Sequence, residues 1–227
     1  MDHHSTESEL HEHHHGDSLF SELMCHLPYA IFSVAVGILV LSLVEFFGLM
    51  RGDSLMITKG THMLFHSFHF VHLAFAATGA FITYTRYSKN LVKAFFVAMC
   101  SALVFCTLSD IILPYLAGRI LGIDIRLHIC LGSELRNVIP FLFIGLLNGI
   151  VISKNPLRAR SSYAMITHIG HIFTSALAAL FYMVSEGFTN WYPYMGPLFV
   201  LLIIAVVVPC TLADIIIPMV IARREKA

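Results

Sequence analysis

The sequence predicts an all-α integral membrane protein of about six transmembrane helices, built as a 3+3 inverted-topology repeat. Three observations point there. Only 12% of the 227 residues are charged while 57% are hydrophobic, and mean hydropathy is +0.79. A soluble domain carries about twice that share of charge. Six apolar segments alternate with short polar connections, and a helix needs about 20 apolar residues to cross a bilayer. A nine-residue motif in the third segment returns in the sixth.

Residues 1–27 form a polar tail. Six of the 14 histidines lie in its first 15 residues, interleaved with Asp2, Glu7, Glu9, Glu12 and Asp17. Nothing there can build a core, so a disordered tail is expected. Its composition suits a metal buffer or sensor, and the acidic and small residues that interrupt it are unlike a designed tag. The tail holds no Lys or Arg, so it lacks the basic region of a cleavable signal peptide. Residues 18–27 are expected to begin an amphipathic turn leading into the membrane.

The apolar segments run over 28–50, 62–84, 93–117, 138–153, 163–185 and 196–222. The fourth is short and should extend a few residues further. They fall into a first three-helix repeat, 28–122, and a second, 127–224. Trp191, beside Tyr192 and Tyr194, fits an interfacial aromatic anchor. Nine Lys and Arg fall on the side of the two termini and five on the other. The positive-inside rule then puts both termini in the cytoplasm, and the short loops fit a bacterial inner membrane. The five cysteines, Cys25, Cys100, Cys106, Cys130 and Cys210, form no CxxC pair and do not read as a disulfide framework.

The repeated motif is Cys106-Thr-Leu-Ser-Asp110-Ile-Ile-Leu-Pro114 against Cys210-Thr-Leu-Ala-Asp214-Ile-Ile-Ile-Pro218, identical at seven of nine positions with an offset of 104. His66 and His69 match His168 and His171 at an offset of 102, and so do Ala74, Ala76 and Ala77 with Ala176, Ala178 and Ala179. Three spans per half is an odd number, so the second half enters from the opposite side. Many secondary transporters share this plan and hold their substrate where the repeats meet. A duplication retained only for packing would leave the same trace.

The candidate chemistry sits inside the spans. His62, His66 and His69 fall within about 60° on one helical face, flanked by His72. His168 and His171 repeat the i, i+3 spacing that lets two imidazoles converge. Counted from the connections, His66 and His69 lie level with Asp110, and His168 and His171 level with Asp214. A mid-membrane carboxylate costs about 2.5–3.5 kcal/mol on insertion scales, which makes it a functional candidate. The Pro four residues on offers each Asp a structural role instead, satisfying backbone at a helix break. Imidazole with carboxylate suits Zn²⁺, Ni²⁺, Co²⁺ or Fe²⁺. The expected metal ligands are therefore His62, His66, His69, Asp110, His168, His171 and Asp214. Cys106 and Cys210 share the face of each Asp and would extend a site toward softer ligation. His72 and Asn148 fit interhelical hydrogen bonds.

The expected function is transmembrane transport of a divalent transition-metal ion, Zn²⁺ foremost, by a protein that is not an enzyme and has no organic cofactor. Its partners would be the ion and the lipid bilayer, with a second copy of the chain an open option and no nucleic acid. A membrane-embedded zinc-dependent hydrolase is the alternative. Against it stand the doubled ligand sets and the lack of a Glu beside a His pair, as in HExxH. A b-type haem protein would be coloured on purification. The layout resembles small six-span cation carriers in general. The HxxxxD helix of nickel/cobalt permeases is absent, so no residue role is carried over.

Overall fold

The structure, a computed structural model, describes residues 19–52, 54–154 and 162–225. The His-rich segment through residue 18 and most of the connection after the fourth span lie outside the described residues. Among the described residues the chain is all helical, with six helices long and apolar enough to span a membrane: Leu23–Met50, Ile57–Tyr87, Leu91–Ile120, Leu135–Ser153, Thr167–Ser185 and Tyr192–Arg224.

Helix α1 (Leu19–Met50) and α2 (Ser54–Tyr87) form the first two spans. Both start before the expected 28 and 62, because the polar residues that end the apolar runs still favour helix. Asn90 fixes the start of α3 (Leu91–Thr107) by accepting the Lys93 backbone N–H at 3.1 Å, one of the orphan donors of a first turn. A π turn (Leu108–Ile112) and α4 (Leu113–Ile120) complete the third span. After the short α5 (Cys130–Ser133), α6 (Leu135–Ser153) is the fourth span and α7 (Ser162–Ser185) the fifth. The sixth opens with a 3₁₀ turn (Tyr192–Tyr194), then α8 (Met195–Thr211), a second π turn (Leu212–Ile216) and α9 (Ile217–Arg224).

Helices α2 and α7 form the centre. They bury 61% and 78% of their most apolar windows, against 28–50% for the other spans. These two helices carry six of the eight described histidines, so those polar residues sit where neighbouring helices can satisfy them. Close approach rests on small side chains, a general device of membrane helices. Ala76, Ala77 and Ala80 of α2 and Ala176, Ala178 and Ala179 of α7 are fully buried. On α6, a Cβ at Gly145 would lie 2.3 Å from the Ala74 carbonyl oxygen. The Thr78 hydroxyl crosses that contact to donate to the Gly145 carbonyl at 2.8 Å. Outward faces carry large apolar side chains such as Phe32, Phe47, Phe96, Ile144 and Ile204, as lipid contact requires.

The chain's last described residue closes one end of the bundle. Glu225 accepts the hydroxyls of Tyr84 and Ser88 at 2.8 and 2.7 Å and pairs with Lys93. The Lys93 ammonium, followed by those hydroxyls, draws the Glu225 carboxyl down to about 2. Asn90 caps α3 between them, so the α2–α3 connection and the end of α9 are tied at one point.

Candidate metal centre

Both copies of the repeated motif fold into the same irregularity. In the third span the Leu113 N–H donates to the Leu108 carbonyl, and in the sixth the Ile217 N–H donates to the Leu212 carbonyl. Each is an i→i+5 bond. The cause is local. Pro114 and Pro218 lack an N–H, so the carbonyls of Asp110 and Asp214, four residues earlier, lose their helical donors. The helix widens by one residue at that point, as π bulges do, often at functional sites. Each bulge presents its Asp to α2 and α7.

The two carboxylates hold histidines. Asp110 Oδ2 accepts from His69 Nδ1 at 2.8 Å and from His72 Nδ1 at 2.7 Å. Its Oδ1 accepts the hydroxyls of Ser109 and Ser175 at 2.7 and 2.8 Å. Asp214 Oδ2 accepts from His171 Nδ1 and lies 3.4 Å from His168 Nδ1. A carboxylate only accepts, so Nδ1 of His69, His72 and His171 carries the proton, and Nε2 is the nitrogen that can offer a lone pair when the ring is neutral.

The His72 and His171 rings come together near mid-span. His72 Nε2 lies 3.6 Å from Cys106 Sγ and 3.7 Å from Cys210 Sγ, each a thiol able to donate to it. The His72 and His171 rings are 4.5 Å apart between centroids. His171 Nε2 is buried and meets no protein partner. His72, Cys106 and His171 each bring a ligand atom within 4.8 Å of the others, and all three are fully buried. No family model, curated protein or solved structure matches this chain. The chemistry of the site is therefore read from its own atoms.

Two thiols and two imidazoles are a donor set suited to a tetrahedral, borderline-to-soft ion. Carboxylates that grip the far nitrogen of ligating histidines fix their tautomer and raise their basicity. Asp110 and Asp214 take that position against Nδ1 of His72 and His171; the sequence expectation was direct ligation. Of the expected residues, the structure brings together His69 with Asp110, and His168 and His171 with Asp214. It places His62 and His66 away from them, toward one end of α2. His66 Nδ1 donates to the His62 carbonyl at 2.9 Å and touches neither Asp. Sequence reasoning set His72 aside as interhelical glue, although its Nε2 lies within 3.7 Å of both thiols. Cys130 stays out of the site: its thiol is buried and pushed up to about 12 by that burial, so it behaves as a packing residue.

The two halves of the centre are not equally satisfied. Asp110 has partners on both oxygens, but Asp214 Oδ1 is buried with none. The reason is visible in the repeat. Ala213 stands where the first copy has Ser109, the one polar difference in the motif. An unsatisfied buried acceptor costs about 1–3 kcal/mol. Ala213→Ser should restore the missing donor and raise stability by about 1 kcal/mol. A thermal melt of detergent-solubilised protein checks it, and a lower melting temperature would show that this oxygen does not need a hydroxyl.

Proposed function

We propose that the chain carries a divalent transition-metal ion, Zn²⁺ foremost, across the membrane as its substrate. The ion binds at the centre made by His72, His171, Cys106 and Cys210. The convergence of His72, Cys106 and His171 in the middle of the bundle, with Cys210 Sγ 3.7 Å from His72 Nε2 and each imidazole backed by a carboxylate from a matching π turn, is the observation that carries this reading.

The packing supports an inverted-repeat mechanism. Helix α1 packs on α7 and α6 packs on α2, while the third span meets α7 and the sixth meets α2. Each pairing is what exchanging the two halves would produce. Alternating access by rocking of the halves would expose the central ion first to one side and then to the other. Binding requires both thiols to lose their protons, so ion movement and proton release are coupled. Ser109 and Ser175 direct their hydroxyls at Asp110 and not at an imidazole. Neither is therefore arranged as a nucleophile with a base; four protein donors would also leave no open position for the water that a zinc hydrolase activates, which favours a carrier. The nine of 14 Lys and Arg on the side of the termini favour a cytoplasmic position for both ends, and the short loops fit a bacterial inner membrane.

The test is Zn²⁺ flux into proteoliposomes, read by an internal dye, for the parent chain and for His171→Gln and Cys106→Ser. Flux should fall at least about tenfold in both variants, the scale of a lost ligand or its support. Parent-level flux in both would remove the centre from the path.

A further inference from the structure

At one end of α2 a cleft of 540 Å³ opens, with His62, Arg126, His128 and Glu186 in its walls. Its two histidines meet a third imidazole, His66, beside the cleft. His62 and His66 are one turn apart on α2, with ring centroids 4.4 Å apart. His128 comes from the loop before α5, at 6.1 Å from the first ring and 5.7 Å from the second. That loop is clipped in place. Tyr182 of α7 accepts the His128 backbone N–H at 3.3 Å and donates its hydroxyl to the Arg126 carbonyl at 3.1 Å. The Arg126 N–H reaches the Glu186 carbonyl at 3.1 Å.

Each ring brings one nitrogen near the other two. His66 donates through Nδ1 to the His62 carbonyl, which leaves the lone pair on Nε2. That atom is shut off from solvent and has no protein partner, an arrangement native proteins rarely leave unexplained. The Ser133 hydroxyl lies 3.4 Å from His128 Nε2 and orients that ring. One ligand atom from each of the three lies within 4.8 Å of the others.

We propose that His62, His66 and His128 form a second metal site, which takes a divalent ion of the Zn²⁺ class on three imidazole nitrogens and leaves one position to solvent. Three neutral nitrogens and an open position suit Zn²⁺, Co²⁺ or Ni²⁺. A tetrahedral ion with bonds of about 2.0–2.1 Å needs its donors about 3.3 Å apart. The rings must therefore close inward, and the exposed His62 side chain is free to do so. Lys59 and Arg126 also line the cleft, and only part of their charge is offset by Glu186, 3.7 Å from Arg126. Their repulsion makes this a site of capture and release. His66 and His72 are six residues apart, roughly 9 Å along the helix, with His69 between them. Delivery from the cleft to the centre rests on the transport reading, whereas binding at the cleft does not.

Co²⁺ titration separates the two sites by absorption. Ligation by thiolate adds a sulfur-to-cobalt charge-transfer band, and an all-imidazole site shows only ligand-field bands. The protein is the full-length chain with His3, His4, His11, His13, His14 and His15 replaced by Gln. His62→Gln and His128→Gln should each remove one Co²⁺ equivalent that lacks charge transfer, and should leave any charge-transfer band at parent strength. An unchanged Co²⁺ stoichiometry in both variants overturns the cleft site. A parent that lacks the charge-transfer band, yet loses the imidazole-type equivalent in these variants, supports the cleft site and counts against the central one.

Discussion

Asp110→Asn should lower metal affinity at the centre by about 10–100-fold while leaving the protein in the membrane. The size is that of a lost carboxylate behind a ligating histidine. Asp110 accepts four hydrogen bonds, two on each oxygen. Asparagine has the same shape but one oxygen and one NH₂. Whichever way the amide turns, two donors then face a donor. If the NH₂ faces the histidines, His69 and His72 must change tautomer, and Nε2 of His72 gains a proton where the ion needs a lone pair. If it faces Ser109 and Ser175, their hydroxyls rotate and the histidines keep one acceptor without its charge. Either way the imidazole becomes a poorer ligand. Isothermal titration with Zn²⁺, beside a membrane-fraction assay of the amount inserted, reads both parts. Parent affinity in the variant would show that His72 does not depend on Asp110.

Much of this arrangement was legible from the residues, and the rest was lost for identifiable reasons. The six spans follow from apolar length, which depends on composition alone. Depth counting from the connections placed His69 level with Asp110 and His171 level with Asp214, because a helix rises a constant 1.5 Å per residue. Rotation was harder. An ideal wheel puts His72 beside the His62–His69 stripe, so it looked peripheral. The π turn at Leu108–Ile112 adds a residue to the third span and changes which face Cys106 shares with Asp110. The same ideal wheel grouped His66 with His69, although the first meets His62 and His128 and the second an aspartate. Ligand and support also look alike in a sequence: His-x-x-His with a level Asp has the same spacing whether the carboxylate meets the ion or the far nitrogen. His128 lies in a loop with no periodicity, and only the Tyr182 clip brings it to α2. The unsatisfied Asp214 oxygen, by contrast, was encoded in one readable difference, Ser109 against Ala213.

Gly79→Ala should damage the same centre from the opposite side. Gly79 lies on α2 where Asp214 approaches, and an added Cβ would sit 2.8 Å from the carboxylate carbon and from Oδ1, and 2.9 Å from Oδ2. Such contacts are shorter than carbon and oxygen tolerate, so something must shift. Asp214 cannot simply turn away, because His168 and His171 converge on its Oδ2. Moving it releases His171, whose Nε2 points at the proposed ion position. Overpacking of this kind costs about 1–3 kcal/mol, and the loosened histidine should lower Zn²⁺ affinity by about tenfold or more. Gly60, on the same helix, has open space around its Cβ position. Gly60→Ala should therefore be neutral or stabilise by up to about 1 kcal/mol, through helix propensity alone. A double-mutant cycle isolates the cause. In an Asp214→Ala background the added methyl meets no carboxylate, so Gly79→Ala should lose most of its cost. Fully additive melting temperatures and affinities would mean that Gly79 matters for packing between α2 and its neighbours, and not for seating Asp214.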